Sequence, residues 1–457
     1  MANIIYFCTV KRLRTVARAL LDVVGVAGRG PGKMALLVFA LQLSMAPGTG
    51  NALENTAGIG DVTGDVGGAG AASEFDSVRI SLLTCSPFEA IYALYGHTAI
   101  RLEDKARGTD IAINYGIFNF DAPMFALRFV FGLTDYEMGI ETMRNMCLRY
   151  RYYKCSIIEQ ELNLTNAEKG AIIAAMATNY LPENRVYRYN YFYDNCTTRA
   201  RDIIVDNLNG VVKYGDDGFV GPTFRELTRG CTADYPWARF GDDLLLGVQA
   251  DNSTTRGEYQ FLPYNLMADF DNAVIIDPDG NERPLVKSKT TVLDAPAHVP
   301  AGEFPLSPTA CALILLLITI AVTVAERLTR HTLYIYDALL MAACGVTGII
   351  LFAMIFSQHP TVRINFQLLL LNPLPLFFIY RMIKRTRRHT QDWQYKMWAA
   401  LIVLAMIGGV WQNYAEGMYL IALSLLIRNI VGMARTAAYR QPPTTAARRN
   451  ATDSNRK

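Results

Sequence analysis

The sequence predicts an α+β globular domain exported across a membrane and followed by a domain of five transmembrane helices. Long apolar runs fill the last third of the chain, whereas the middle mixes alternating and helical patterns of apolar residues. Of the 457 residues, 51% are hydrophobic and 19% are charged, whereas a soluble domain has about 25% charged residues. This composition excludes a single soluble domain and a disordered protein. The net charge of +3 is too small for a nucleic-acid binder.

A signal peptide is predicted at residues 1–52. Six basic residues precede the apolar segment Met34–Ala46, and small residues follow it up to Ala52, which is the order of a secretory signal. An uncleaved anchor is the alternative, but this apolar segment is too short to span a membrane comfortably. Met34 is an alternative start, in which case residues 1–33 are not translated.

Three segments lie between the signal and the membrane helices. Residues 53–72 are rich in Gly, Ala, Asp and Thr and are expected to form a flexible linker. Residues 73–285 form the globular domain, which is long enough for one well-buried core. Residues 286–307 contain prolines and are expected to tether this domain to the membrane.

Five apolar runs within residues 308–434 are each near the roughly 20 residues that a transmembrane helix needs. They are Pro308–Ala325, Leu333–Phe356, Phe366–Met382, Met397–Trp411 and Gly417–Ala434. Lys and Arg cluster after the first, third and fifth runs, and short cytoplasmic loops collect such residues. This alternation predicts a cytoplasmic tail at residues 435–457 and places the globular domain on the opposite side of the membrane.

The globular domain contains an odd number of cysteines. They are Cys85, Cys147, Cys155, Cys196 and Cys231. Export favours disulfides, but an odd number leaves at least one thiol unpaired, and such a thiol can be reactive. The pairing among the other four stays open.

Cys196 is the candidate nucleophile. Asp194 or Asn195 can cap a helix, and an apolar stripe that begins at Ala200 predicts that this helix continues. Cys196 would lie in its first turn, where the helix dipole and the backbone N–H groups stabilise a thiolate.

His97 is the candidate base, because it is the single histidine of the globular domain. The alternation from Thr98 onward predicts a strand that begins at His97, and the next predicted strand offers Asn114 as a third polar residue. A thiol activated by one histidine, which a third group orients, is a common catalytic arrangement. A structural histidine is the alternative.

Six other polar residues are candidates for substrate binding. They are Arg101, Asn195 and Arg199 in the globular domain and His359, Asn365 and Asn372 in the membrane domain. The arginines either pair with carboxylates or bind a phosphate headgroup. Polar residues at membrane depth are costly and therefore functional candidates, although a proline-kinked packing element is the alternative. We expect no metal ion and no cofactor.

Five sequence segments, in this order, resemble a known family. They are Leu82–Pro87, Gly96–Arg101, Asn114–Gly116, Leu181–Arg185 and Asp194–Arg199. The order of histidine, polar residue and Asn-Cys is similar to that in circularly permuted papain-like enzymes of the lecithin–retinol acyltransferase kind. With the multi-span tail, the chain more closely resembles the Lnb-type lipoprotein N-acyltransferases. Phe88 departs from the pattern, since glycine is expected after Ser86-Pro87.

The resemblance implies a fold, a reaction and a location. The exported domain would be a circularly permuted papain-like domain in the periplasm, tied to the bacterial inner membrane. Cys196 would take an acyl chain from a membrane phospholipid as a thioester, with His97 and Asn114 as its catalytic partners. The acceptor would be the α-amine of the diacylglyceryl-cysteine of a lipoprotein, so that both substrates are held in the bilayer.

Two other functions remain open from the sequence. The first is a membrane-tethered papain-like cysteine peptidase or amidase that acts on the cell wall with the same Cys196 and His97. No wall-binding repeat is evident, and five spans exceed what a tether needs. The second is a non-enzymatic membrane sensor or accessory module, in which Cys196 is structural.

Overall fold

The computed structural model describes residues 75–118, 123–215, 218–295, 304–388, 390 and 392–438. Within them, a sheet-rich α+β domain precedes a helical domain that begins at Pro308. This order confirms the predicted fold class of a mixed α+β domain followed by an apolar helical region. The circularly permuted papain-like topology stays a prediction. The predicted leader (1–52), the linker (53–72) and most of the basic tail (435–457) lie outside the described residues.

In the part of the chain that the structure describes, ten strands form two sheets in the α+β domain. They are β1 (Val78–Cys85), β2 (His97–Asp104), β3 (Thr109–Ile117), β4 (Asp135–Thr142), β5 (Ile157–Leu162), β6 (Val186–Arg188), β7 (Val211–Lys213), β8 (Val274–Ile276), β9 (Glu282–Pro284) and β10 (Val286–Leu293). The main sheet has seven antiparallel strands in the order β10-β5-β1-β2-β3-β4-β6. The smaller sheet has the order β7-β8-β9.

Eight α-helices of the described residues accompany these sheets. They are α1 (Phe125–Val130), α2 (Met143–Tyr152), α3 (Asn166–Tyr180), α4 (Cys196–Val205), α5 (Phe224–Cys231), α6 (Pro236–Leu245), α7 (Arg256–Tyr259) and α8 (Pro263–Asp271). Helices α3, α4 and α8 pack against one face of the central strands, and α2 packs against the other. The central strand β1 is therefore buried on both faces, and it buries Ser81 and Thr84 together with its apolar residues.

The prediction that residues 286–307 form a tether is wrong for the first part of this range. Val286–Leu293 is strand β10, which pairs with β5 and forms one edge of the main sheet. Its side chains are mostly exposed. This edge strand is held by backbone hydrogen bonds to one neighbour, β5. The sequence therefore lacks the apolar alternation that marks a half-buried strand.

The helical domain contains seven helices in the described residues. They are α9 (Pro308–Thr329), α10 (Tyr334–Met354), α11 (Pro360–Arg363), α12 (Gln367–Leu370), α13 (Leu374–Arg387), α14 (Gln394–Gly408) and α15 (Met418–Ala438). By length and composition, four segments could cross a membrane: Pro308–Thr329, Tyr334–Met354, Pro360–Arg387 and Met418–Arg435. The predicted number of five spans is therefore not confirmed.

The fourth predicted span, Met397–Trp411, falls on the short helix α14. Its 15 residues rise about 22 Å at 1.5 Å per residue, which is less than the roughly 30 Å of a bilayer core. Asp392, just before α14, pairs with Arg381, and Gln412, just after it, donates to the carbonyl of Leu246 in the α+β domain. Helix α14 and its flanking turns thus extend from the contact with Arg381 to the contact with the α+β domain at Leu246.

Hydrogen bonds fix the α+β domain to the helical domain. The fully buried Arg225 on α5 pairs with Asp243 and Asp251. Asp251 also accepts a hydrogen bond from Asn413 of the helical domain at 2.8 Å. Gln367 donates to the carbonyl of Asp243 at 2.9 Å. Because these polar groups satisfy one another across the junction, the two domains hold a defined relative position.

Candidate active site

The site lies at one end of the main sheet, where α4 begins. Cys196 is the first residue of α4, and Asn195 is its N-cap. The side-chain oxygen of Asn195 accepts from the backbone N–H groups of Thr197 at 2.8 Å and Thr198 at 3.0 Å. The predicted cap and helix start are both confirmed. The capping geometry places the Cys196 side chain at the positive end of the helix dipole.

His97 and Asn114 lie beside Cys196, as the sequence predicts. His97 begins β2 opposite Cys85 of β1, and Asn114 lies near the end of β3. The His97 Nε2 and Asn114 Oδ1 atoms are 2.9 Å apart, and the His97 ring also forms a hydrogen bond with the Cys196 thiol. A thiol, an imidazole and an amide therefore follow one another in hydrogen-bond contact.

A carboxylate behind Asn114 fixes the orientation of its amide. The amide nitrogen of Asn114 donates to Glu141 Oε1 of β4 at 3.1 Å, and Arg149 of α2 pairs with the same carboxylate. A carboxylate only accepts, so the amide turns its nitrogen toward Glu141 and its oxygen toward His97. Nε2 of His97 then carries the proton donated to Asn114, and Nδ1 is left for the thiol.

The surroundings of Cys196 favour its thiolate. Burial by itself raises the pKa of this thiol, but the charge of His97 and hydrogen bonds from His97, the Thr98 backbone N–H and Thr197 lower it to about 7. Burial lowers the pKa of His97, but the neighbouring Cys196 and the hydrogen bonds with Cys196 and Asn114 more than offset this and raise it. The two groups therefore stabilise each other as a thiolate–imidazolium pair.

Cys85 shows that closeness to His97 is not enough to activate a thiol. Burial raises the pKa of Cys85 to about 12, and a hydrogen bond with Tyr150 offsets only part of this effect. Cys85 lies in the apolar cluster between the sheet and α2. Cys196 is thus the thiol of this pair that ionises near neutral pH.

No disulfide forms among the described residues, and Cys85, Cys147, Cys155, Cys196 and Cys231 are all free thiols there. The expectation of at least one unpaired thiol is therefore met. No group of His, Cys, Asp and Glu able to hold a metal ion occurs in the described part of the chain.

Tyrosine rings line the site on the side of β3 and β6. A Cβ atom placed on Gly116, which has φ +86°, would lie 3.7 Å from both the Cys196 Cβ atom and a ring carbon of Tyr189. Tyr189 stacks on Tyr136, with ring centroids 4.1 Å apart. Gly116 has no side chain between the nucleophile and the Tyr189 ring. Its positive φ favours glycine, since L residues rarely adopt it.

The candidate binding residues of the α+β domain are engaged in structural contacts. Arg101 pairs with Asp110, Glu159 and Glu103. Arg199 pairs with Asp194 through two hydrogen bonds and lies over the Tyr187 ring. Both arginines thus pair with carboxylates, which is the first of the two alternatives that the sequence left open.

Asn195 is likewise engaged. Besides capping α4, its amide nitrogen donates to the carbonyl oxygens of Tyr191 and Phe261. Each polar atom of this side chain therefore has a backbone partner, and Asn195 serves to position Cys196.

His359, Asn365 and Asn372 do not lie in the cluster of Cys196, His97 and Asn114. Asn365 donates to the carbonyl of Leu244 across the domain junction. Asn372 accepts from the Leu374 N–H at the start of α13. His359 is buried against the Tyr191 ring, with centroids 4.4 Å apart, and neither ring nitrogen has a hydrogen-bond partner.

Sequence reasoning missed Glu141, Arg149, Thr98 and Tyr189. Glu141 and Arg149 reach the site only because β4 pairs with β3 and α2 packs on the same sheet face. The register between strands is not encoded in a local pattern.

Two family models match the chain. Residues 70–230 match the Lnb N-terminal periplasmic domain, and residues 301–440 match the Lnb transmembrane domain. No curated protein and no solved structure matches the chain. The matches and the apolar helices describe a multi-pass membrane protein with a periplasmic domain.

Proposed function

Because this chain belongs to the Lnb family, we propose that it is a lipoprotein N-acyltransferase of the bacterial inner membrane. The observation that carries the proposal is the hydrogen-bonded series Cys196, His97 and Asn114 at the start of a capped helix. A thiol whose pKa is lowered to about 7 is a strong nucleophile at neutral pH.

In the first half-reaction, Cys196 accepts an acyl chain. Its thiolate attacks the ester carbonyl of a membrane phospholipid, and a C–S bond forms while the ester C–O bond breaks. The His97 imidazolium gives its proton to the departing lysophospholipid oxygen. The N–H of Cys196, which Asn195 does not use in capping α4, can stabilise the oxyanion.

In the second half-reaction, the acyl chain passes to the lipoprotein. The neutral α-amine of a diacylglyceryl-cysteine attacks the thioester, the C–S bond breaks, and an amide forms. His97, neutral after the first step, takes the proton of the amine. The thiolate–imidazolium pair is restored, and one acyl transfer has been divided into two easier steps.

The fixed domain junction supports this assignment. Both proposed substrates are anchored in a bilayer, and hydrogen bonds from Asn413 to Asp251 and from Gln367 to the carbonyl of Asp243 hold the α+β domain on the helical domain. A domain that acts on a soluble substrate does not need such a junction.

Mass spectrometry of lipoprotein N-terminal peptides tests the proposal. The full chain, in proteoliposomes with phospholipid and a diacylglyceryl lipoprotein, is expected to add an N-acyl chain. It is also expected to carry a hydroxylamine-labile acyl group on Cys196. Cys196→Ala is expected to lose both products. Cys147→Ala, which removes another free thiol of the same domain, is the matched control and is expected to keep both.

The outcomes separate the alternatives. An unchanged lipoprotein N-terminus with the wild-type chain would refute the acyltransferase. If Cys196→Ala instead abolished cleavage of cell-wall peptides, the site would belong to a peptidase or amidase. If Cys196→Ala preserved every function of the protein, the membrane sensor or accessory module would be favoured.

A further inference from the structure

Helix α1 exposes a group of large apolar side chains on the α+β domain. Met124 is 68% exposed, Leu127 46% and Phe129 40%. Such side chains cost free energy in water, and a group of them on one short segment marks a part of the molecule that contacts a partner or a membrane. We call these three residues the α1 surface.

The α1 surface lies beside the end of a membrane helix. Helix α1 packs on α10, and Val130 joins the apolar cluster that contains Met354, the last residue of α10. The Gln358 N–H donates to the carbonyl of Phe131 at 2.9 Å. Helix α1 is therefore held at the end of α10 that faces the α+β domain.

The neighbouring part of α10 is itself apolar and exposed. Phe352 lies in its last turn, Phe356 lies just beyond it, and their side chains contact each other. Aromatic side chains at the end of a membrane helix are typical of the interface between lipid and water. The α1 surface thus lies next to exposed apolar side chains at the end of a candidate membrane span.

A series of aromatic rings leads inward from the α1 surface. The ring centroids of Phe129 and Phe125 are 6.4 Å apart, and those of Phe125 and Phe118 are 6.1 Å apart. Phe118 stacks on Tyr136 at 4.9 Å, and Tyr136 stacks on Tyr189 at 4.1 Å. We call these five rings the aromatic path.

The aromatic path ends at the nucleophile. The position of a Cβ atom on Gly116 lies 3.7 Å from Tyr189 and equally 3.7 Å from the Cys196 Cβ atom. A glycine here keeps a side chain out of the position between ring and thiol. Aromatic rings form an apolar wall whose contact with alkyl chains is stabilised by dispersion and by release of water.

From this continuity we propose that the α1 surface enters the outer leaflet and that the aromatic path guides one acyl chain of a phospholipid to Cys196. The occupant is a diacyl phospholipid of the bilayer, and its delivery to the thiol rests on the proposed acyltransferase function. The contact of α1 with lipid does not depend on catalysis.

Photocrosslinking tests the lipid contact directly. The full chain is placed in nanodiscs of phosphatidylethanolamine and phosphatidylglycerol, with p-benzoylphenylalanine at position 129 or at position 211. Val211 is 70% exposed on β7 of the small sheet and is the matched control. Irradiation is expected to attach phospholipid at position 129 and not at position 211. Equal or absent attachment at the two positions would overturn the proposal.

Acyl transfer tests the delivery. Leu127→Asp is expected to slow transfer from bilayer phospholipid about tenfold, which corresponds to loss of the burial of one leucine side chain. Val211→Asp is the control and is expected to keep the wild-type rate. Acylation of Cys196 by p-nitrophenyl butyrate, which is soluble, is expected to be equal in both variants because it needs no bilayer contact.

These measurements distinguish the two levels of the proposal. If the wild-type chain transfers no acyl group but position 129 still crosslinks lipid, the acyltransferase fails and the lipid contact stands. If Leu127→Asp transfers acyl chains from the bilayer at the wild-type rate, the delivery route is refuted. If Leu127→Asp also loses reaction with the soluble ester, α1 supports the catalytic site rather than lipid entry, and the delivery route is again refuted.

Discussion

Two networks of polar side chains lie in different domains, and they end differently. In the helical domain, Arg428 pairs with Glu326 and Asp337, and Arg435 pairs with the same two carboxylates. Two positive and two negative charges thus balance one another.

The network of the α+β domain runs from Arg149 through Glu141, Asn114 and His97 to Cys196. It ends on a thiol that can lose its proton and attack a substrate. A closed set of ion pairs thus supports structure, whereas a series of hydrogen-bonded side chains that ends on a nucleophile supports chemistry. The following substitutions test this distinction.

The largest effect is expected from His97→Ala. This change removes the base and the charge that lowers the pKa of Cys196, and we expect acyl transfer to fall by about 10⁴. In the wild type, alkylation of Cys196 by iodoacetamide should rise with pH around a midpoint of about 7. In the variant the midpoint should move to higher pH, because the thiolate loses its cation. An unchanged midpoint would contradict the assigned pair.

A smaller loss is expected from Asn114→Ala. Without the amide, the Nε2–H of His97 loses its acceptor and the ring is less firmly oriented, so we expect acyl transfer to fall on the order of 100-fold. Initial rates in proteoliposomes measure this loss. Asn207→Ala, which changes an asparagine after α4 that donates to the Ile203 carbonyl, is the control. Equal losses in the two variants would indicate a general effect on folding.

Glu141→Leu is expected to reduce acyl transfer about tenfold, because the Asn114 amide can then rotate and present its nitrogen to His97. Glu141→Gln keeps an oxygen that accepts from Asn114 and is expected to recover most of the rate. The alkylation midpoint of Cys196 is the second measurement, since mere loss of packing would not move it. If Glu141→Gln and Glu141→Leu gave the same rates of acyl transfer and the same alkylation midpoints of Cys196, Glu141 would have no orienting role.

The smallest effect on the active site is expected from Arg428→Met. It leaves Glu326 and Asp337 with Arg435 alone, so we expect a loss of about 3–5 kcal/mol in the free energy of unfolding. The rate of Cys196 alkylation in the folded variant should stay at the wild-type value. Thermal unfolding in detergent measures the loss of stability. Arg387→Met, which changes an exposed arginine, is the control. A change in thiol reactivity without loss of stability would show that this network is not purely structural.

Local patterns explain which parts of the site the sequence could predict. The cap at Asn195, the helix start at Cys196 and the strand start at His97 each depend on neighbouring residues, and all three expectations are confirmed. The position of Asn114 required only two adjacent strands. Glu141 required the register between β3 and β4, for which the sequence holds no local signal.

The errors in the predicted fold have a similar origin. Strand β10 is an exposed edge held by backbone hydrogen bonds to β5, so its side chains carry no alternation. Helix α14 begins and ends three residues before its apolar run, and Gln412 beyond its end donates to the α+β domain. In both cases contacts distant in sequence determine the structure.

The buried junction at Arg225 has a consequence for how the protein would choose its substrates. Since Asp251 and Gln367 leave the two domains little freedom to move apart, we expect Cys196 to stay at one height above the membrane plane. We expect selection to act on the depth at which an amine or ester lies, and not on the peptide that follows it. Such a protein would accept many lipoproteins of unrelated sequence, provided that each presents its first residue at that level.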